Sequence, residues 1–187
     1  MTMTEYLKKY PWLRTENLWT GQVEENYCAL QALPEGWVEA FGEMMCKELD
    51  QAIKAANLES DFYILQAKEK WGFLHLYISH NTDEINDIIR KYERLSSNIC
   101  ICCGKPDVSM LNLSWISPIC ENCYNEHISD TRPYSEVVDE DNRMPDVVRY
   151  RQYSKEFDPP GWKDFEIDIS ETAEKIRKRW EERTNKR

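Results

Sequence analysis

The sequence predicts an α+β fold in which helices cover an antiparallel β-hairpin or small sheet. Apolar residues recur at helical spacing in two segments, and two short strand-like segments lie between them. The chain has 187 residues, of which 41% are hydrophobic, so one domain with a substantial core is expected.

The first helical pattern covers the segment PEGWVEAFGEMMCKELDQAIKAANL. We expect this helix to begin at Pro34 and to end near Asn57. Its apolar residues share one helical face, which should be buried. They are Trp37, Phe41, Met44, Met45, Leu49, Ala52, Ile53 and Ala56.

The two strand-like segments are DFYILQAK and GFLHLYIS, with a turn at EKWG between them. Aromatic and branched residues dominate both, which favours an antiparallel hairpin. In the second strand one face carries Phe73, His75 and Tyr77. The opposite face, which should pack on the helices, carries Leu74, Leu76 and Ile78.

The segment NTDEINDIIRKYERLSSN predicts the second helix. Asn81 is the expected N-cap, and Glu84 three residues later has the spacing of a capping box. The buried stripe consists of Ile85, Ile88, Ile89, Tyr92 and Leu95. Together these elements form the predicted core domain, residues 1–97.

Residues 98–127, NICICCGKPDVSMLNLSWISPICENCYNEH, hold five of the seven cysteines. Two CxxC pairs lie sixteen residues apart, and the segment between them can form a short hairpin. Four thiolates in such pairs form the tetrahedral set that binds structural Zn2+, with no position open for a substrate. We therefore predict a zinc ribbon with the ligands Cys100, Cys103, Cys120 and Cys123.

Two further residues leave the ligand set open. Cys102 is a fifth thiol inside the first knuckle, and His127 lies four residues beyond Cys123. Either side chain could replace one thiolate, although Cys100 and Cys103 have the standard spacing. We expect Cys102 to be a spare thiol.

Residues 128–187 form the third predicted unit. An acidic, proline-containing segment is followed by a strand at DFEIDIS and a helix at SETAEKIRKRWEERTNKR, capped by Asp168 or Ser170. The last segment has seven basic and four acidic residues, a local net charge of 7 − 4 = +3. This unit packs on the core or extends from it.

The net charge of −10 disfavours sequence-independent binding to nucleic acid, which depends on cations that neutralise phosphates. It suits docking to a basic protein surface. The candidate partner-binding residues are Glu136, Asp139, Glu140, Asp141, Arg177 and Arg179.

The sequence also bears on the compartment of the protein. It has no apolar run as long as a membrane span, and its N-terminus lacks the apolar segment of a signal peptide. We therefore expect a cytoplasmic protein. Thiols stay reduced there, so the clustered cysteines favour a metal over disulfides.

Residues 36–125 resemble a group of small phage and prophage proteins without assigned function. The resemblance rests on GWVEAFGEMMCKELDQAI, FYILQAKEKWGFLHLYIS, EINDIIRKYERLSSNICICCGKP and ICENC. The pattern in that group is a helix, a strand pair near KEKFGGLRFY, a second helix and a CxxCG knuckle with a later CxxC. Trp71 and Phe73 depart from it. The resemblance implies the same four cysteine ligands and a phage origin, with host cytoplasm as the compartment.

Three functions fit these features. The first is a zinc-stabilised, non-enzymatic module that binds a host protein and inhibits a defence or nucleic-acid-processing complex. The alternative is a nucleic-acid-binding accessory protein that uses the ribbon and the basic C-terminal helix. The third is a weak metal-dependent nuclease, in which Asp61, Gln66 and Lys68 imitate a catalytic strand.

Overall fold

The computed structural model describes residues 1–16, 20–139, 145–154 and 159–186, and shows a mixed α/β fold with small sheets. None of the helices in these ranges combines the length and the apolar character that crossing a membrane requires.

Along the described chain, helical segments alternate with pairs of consecutive strands, beginning with a helix. The helices are α1 Met3–Lys9, α2 Glu35–Trp37, α3 Glu43–Ala55, α4 Asp83–Ser96, α5 Glu121–His127, α6 Tyr134–Val137 and α7 Ser170–Thr184. A π-helical turn, Val38–Gly42, joins α2 to α3, and short 3-10 helices occupy Pro11–Leu13 and Ala29–Ala32. The strands are β1 Arg14–Glu16, β2 Val23–Cys28, β3 Ile64–Lys70, β4 Phe73–Ile78, β5 Met110–Asn112, β6 Ile116–Pro118, β7 Val147–Ser154 and β8 Gly161–Asp168.

The largest sheet has the strand order β2-β1-β3-β4. Its β3–β4 pair is antiparallel and occupies the segments predicted to form a hairpin. Strand β1 pairs with β2 antiparallel and with β3 in parallel, through Thr15 and Ile64. Strands β5 and β6 form a second antiparallel pair, and β7 and β8 form a third.

The main hydrophobic core lies between this sheet and the helices. Helix α4 packs on β4, and α3 packs on α4. The buried side chains include Trp37, Phe41, Leu74, Ile85 and Tyr92. The expected inner face of β4 is therefore buried at Leu74 and Leu76, because these side chains project toward the helices.

The C-terminal helix belongs to the same core. Ala173 and Ile176 of α7, together with Ile169 just before it, are buried among the residues of the main core. The N-cap is Ile169, without a side-chain cap, so the prediction of Asp168 or Ser170 as the cap is wrong; Asp168 instead accepts hydrogen bonds from the backbone and hydroxyl of Ser170.

Two sequence predictions are corrected here. The N-cap of α4 is Thr82, whose hydroxyl accepts a hydrogen bond from the Ile85 amide, so Asn81 lies one residue too early. Part of the acidic, proline-containing segment, which reads as an irregular linker in the sequence, forms β7, which pairs with β8 over eight residues. The sequence of β7 does not show the alternation of apolar and polar residues that predicts a strand, because arginine and tyrosine occupy half of its positions. The two-stranded ribbon buries little area, so it does not need an apolar face.

The start of α2 makes an unusually close contact with the first cysteine knuckle. The Gly36 amide donates to the Ile101 carbonyl at 2.9 Å. A Cβ added to Gly36 would lie 2.3 Å from the Cys100 carbonyl oxygen and 2.6 Å from the Gly104 nitrogen. Next to it, the Trp37 indole donates to the Ile99 carbonyl at 2.8 Å. These contacts join the main core directly to the cysteine segment.

We expect Gly36→Ala to lower the free energy of unfolding by about 1–3 kcal/mol, since the added methyl meets backbone atoms that cannot move aside cheaply. The matched control is Gly161→Ala, because a Cβ there has no heavy atom within 4 Å. That variant should change stability by less than about 0.5 kcal/mol. Urea unfolding measures both, and equal stability of the two variants would contradict the contact.

Candidate metal centre

The four predicted ligands come from two turns that the second hairpin brings together. Cys100 and Cys103 lie in the loop after α4, whereas Cys120 directly precedes α5 and Cys123 lies in its first turn. Strands β5 and β6 span the distance between the two turns, and the Ile101 amide donates to the Pro118 carbonyl at 2.9 Å.

The first turn is closed by backbone hydrogen bonds. The Cys100 amide donates to the Lys105 carbonyl, and the Gly104 amide donates to the Cys100 carbonyl, both at 2.9 Å. Gly104 adopts a φ of +77°, a conformation that suits glycine because it has no Cβ. The positive φ of Gly104 thus reverses the direction of the chain after Cys103, so that the thiols of the knuckle point to one side.

The sulfur atoms have the separation that a tetrahedral metal site requires. The four Sγ atoms all lie within 4.8 Å of one another, and those of Cys103 and Cys120 are 3.7 Å apart. Metal–sulfur bonds of about 2.3 Å in a tetrahedron place sulfur atoms about 3.8 Å apart. The Cys120 amide donates to the Cys100 sulfur at 3.4 Å. The cluster can therefore hold a metal ion, and its donor set is compatible with zinc.

The thiols also favour a cation electrostatically. Hydrogen bonds from Cys102, Cys103 and Cys120 lower the pKa of Cys100. Burial raises the pKa of Cys123 to about 12, and the charge of Cys100 acts in the same direction. Several thiolates cannot coexist in so small a volume unless a positive charge lies between them. A divalent ion supplies that charge and displaces the protons.

The structure also places the two alternative ligands. Cys102 lies inside the knuckle and contacts Cys100, but it is not one of the four convergent residues. The His127 side chain is exposed and lies 3.7 Å from Glu126. The residues that converge are the four whose spacing predicted the site.

Helix α7 supports the first knuckle from outside. Arg183 donates hydrogen bonds to the Cys103 carbonyl and to Glu39. Its side chain lines a cavity of about 240 Å³ together with Trp180, Cys102 and Cys103. No sequence signal links Arg183 to the knuckle, because the contact spans eighty residues and depends on how α7 docks.

The cations predicted to bind a partner face the body of the protein. Arg177 makes two hydrogen bonds to Asp107, at 2.7 and 2.8 Å, and Arg179 lies 3.9 Å from Glu43. Both side chains remain partly exposed. Their charges are thus largely balanced by carboxylates of this chain.

The acidic candidates lie in the segment of the chain that follows α5. Glu136 is exposed in α6, and the Asp139 amide donates to the Met110 carbonyl at 2.8 Å. Asp139 borders a cleft of about 500 Å³ lined by Trp71, Phe73, Met110 and Ile116. The other two predicted residues, Glu140 and Asp141, fall outside the residues that the structure describes.

The residues of the nuclease hypothesis make other contacts. The Lys68 ammonium donates to the Gln66 side chain at 2.9 Å and lies 4.8 Å from the centre of the Tyr77 ring. Asp61 lies before β3, where its carbonyl accepts a hydrogen bond from the Ser79 hydroxyl. The four-cysteine cluster is the one group of three or more potential metal ligands among the described residues.

The chain matches no known protein family, no curated protein and no solved structure. The functional argument therefore rests on the geometry of this chain.

One surface feature was missed from the sequence. Trp71, Trp115 and Ile116 are exposed on the tips of the β3–β4 and β5–β6 hairpins. The signal that could have revealed Trp71 was its place in the turn EKWG, where a polar residue is usual.

Replacing a convergent cysteine should remove the metal, whereas replacing the spare thiol should not. Loss of a residue that only hydrogen-bonds to a metal ligand lowers metal affinity about 10–100-fold. We expect Cys103→Ser to lower the affinity by more than this, because it removes a ligand itself. The neighbouring Cys102→Ser is the matched control and should keep the metal content of the wild type. Elemental analysis of reduced, purified variants measures this, and metal loss confined to Cys102→Ser would exclude the proposed ligand set.

Proposed function

We propose that this protein is a non-enzymatic protein-interaction module, stabilised by one structural Zn2+ ion and encoded by a phage. In this proposal it binds a host protein and inhibits a defence or nucleic-acid-processing complex. The observation that carries the proposal is the convergence of four cysteine sulfurs, since such a shell binds zinc and has no free position for water or substrate.

The proposed ion has a structural task. It fixes the β5–β6 hairpin to the first knuckle, which makes the unit a zinc ribbon. In small zinc modules the metal contributes about 10 kcal/mol or more to the free energy of folding. Gly36, Trp37 and Arg183 contact the backbone of the same segment. The metal therefore also holds the surfaces on both sides of the ribbon in place.

The charge distribution supports a basic protein partner. The chain has a net charge of −10, and Glu136 and Asp139 are both exposed next to the ribbon. Proteins that process nucleic acid present basic channels, and an acidic surface complements them. The resemblance to phage proteins adds a reason for such a protein to act on a host complex.

The alternative that uses the ribbon and the C-terminal helix to bind nucleic acid has less support. Arg177, Arg179 and Arg183 interact with Asp107, Glu43 and Glu39, so their charges are compensated within the chain. A cation already paired with a carboxylate gains less from a phosphate, because the first ion pair must be lost.

Affinity capture from bacterial lysate, followed by mass spectrometry, tests the proposal. We expect the zinc-loaded protein to retain a basic, nucleic-acid-processing protein. The double variant Glu136→Gln/Asp139→Asn should retain that protein at least about tenfold less, since losing complementary charge costs about 1.4 kcal/mol or more in such interfaces.

The control is Glu181→Gln/Glu182→Gln, which removes the same charge from the exposed face of α7. It should capture as much partner as the wild type. The proposal fails if no specific protein is retained, or if both double variants weaken capture equally.

A further inference from the structure

The outward face of the β3–β4 hairpin combines cations with aromatic rings. The register pairs Lys70 with Phe73, Lys68 with His75 and Gln66 with Tyr77, so these six side chains share one face. The opposite face carries the buried Leu74 and Leu76. The two lysines alternate along β3, about 6.8 Å apart, which is close to the phosphate spacing of an unstacked single strand.

The ammonium groups of these two lysines lie over aromatic rings and not beside carboxylates. The Lys68 ammonium lies 4.8 Å from the centre of the Tyr77 ring, and that of Lys70 lies 4.4 Å from the Trp71 ring. Within the ranges that the structure describes, neither lysine has an ion pair with a carboxylate. Their positive field reaches His75, whose pKa is lowered by burial and then by Lys70 and Lys68. The cations of this face are therefore available to an anion, unlike those of α7.

Trp71 occupies a position that tryptophan rarely adopts. It has a φ of +52° and is followed by Gly72 at +80°, the two positive values that a type I′ turn requires. Asparagine or glycine suits the first position, and a bulky residue there costs free energy. The Trp71 side chain is nevertheless 69% exposed. Neither backbone preference nor burial favours tryptophan here, and apart from the Lys70 ammonium at 4.4 Å its ring is open to a ligand that stacks on it.

A cleft continues this face onto the β5–β6 hairpin. The turn at Gly72 lies against β5–β6 so closely that an added Cβ would be 2.4 Å from the Met110 methyl. Trp71 and Phe73 form one wall of the 500 Å³ cleft, and Met110 and Ile116 form the other. The cleft is apolar and large enough to receive one unstacked base.

We propose that this face binds single-stranded DNA. Bases stack on Trp71 and Phe73 and enter the cleft, while Lys68 and Lys70 contact successive phosphates. Alternating rings and unpaired cations are the features with which proteins hold single strands. The proposal does not rest on a protein partner, because it concerns a different ligand and different contact residues, although Asp139 borders the same cleft.

The negative charge of the chain weakens this binding without preventing it. At physiological ionic strength, charges more than about 8 Å apart are largely screened, so the lysines at the contact dominate. The carboxylates near the face are Glu69, which accepts a hydrogen bond from the Gly72 amide at 2.6 Å, Glu93, which lies 3.5 Å from His75, and Asp139 on the far rim of the cleft. Burial raises the pKa of Glu93 to about 7, which reduces its negative charge. We expect a Kd of roughly 10⁻⁴–10⁻⁶ M at physiological salt.

The polar groups of the face favour DNA over RNA. Recognition of RNA uses the 2′-hydroxyl, which needs a hydrogen-bond partner. The Gln66 carbonyl oxygen accepts from Lys68, and the other side chains on this face are lysines or hydrocarbon rings, apart from His75 and the Tyr77 hydroxyl. Such a surface suits the less polar deoxyribose.

Fluorescence anisotropy with the zinc-loaded full chain and a labelled oligothymidylate of about twelve nucleotides tests the proposal. Binding should weaken with salt at a slope of about −1.4, because two phosphate contacts each contribute about 0.7. Lys68→Gln/Lys70→Gln should abolish most of that slope. Oligouridylate of equal length should bind no more tightly than oligothymidylate.

Trp71→Asn separates stacking from folding. Asparagine suits the positive φ, so the variant should be at least as stable as the wild type, while affinity falls about tenfold or more. The control is Trp162→Thr, which removes a tryptophan that is 64% exposed on β8. It should leave affinity unchanged.

Four results would overturn the proposal. They are an absence of binding at low salt, equal losses in Trp71→Asn and Trp162→Thr, tighter binding of oligouridylate, and displacement by polyglutamate at equal charge concentration. The last result would mean that the lysines act alone and that an acidic protein segment is the ligand.

Discussion

The convergence of four cysteine sulfurs constrains the parts of the protein that surround it. The sulfurs belong to turns separated by sixteen residues, and no disulfide joins them. Thiolates at such separations repel one another, so a cation at the centre would stabilise the deprotonated cluster, which can hold a metal ion. The β5–β6 hairpin, the start of α2 and the end of α7 all pack against the backbone that this cation would fix.

Much of this arrangement could be predicted because its causes are local. The CxxC spacing identified the four convergent cysteines, and helical periodicity identified the stretch from α2 to α3 as well as α4. The aromatic and branched residues of DFYILQAK and GFLHLYIS identified the β3–β4 hairpin in the same way. In each case neighbouring residues along the chain carry the information.

The missed features depend on distant contacts. Strand β1 has three residues and pairs with β3 in parallel, which no local pattern specifies. The cap at Thr82 competes with an equally suitable Asn81, and the hydrogen bond from the Ile85 amide to the Thr82 hydroxyl identifies the residue that caps α4. The contact of Arg183 with the knuckle, and the cleft between two hairpin tips, exist only after the units have docked. Their chemistry was visible in the sequence, but their proximity was not.

The claim that a metal ion organises this region is tested most directly by removing the ion and following amide hydrogen exchange. Chelation under reducing conditions should abolish protection in residues 98–127 and in the last turns of α7, while α3 and α4 stay protected. Adding Zn2+ should restore the original pattern, because binding and local folding share one free energy. A reduced, metal-free protein with unchanged protection in residues 98–127 would contradict the account.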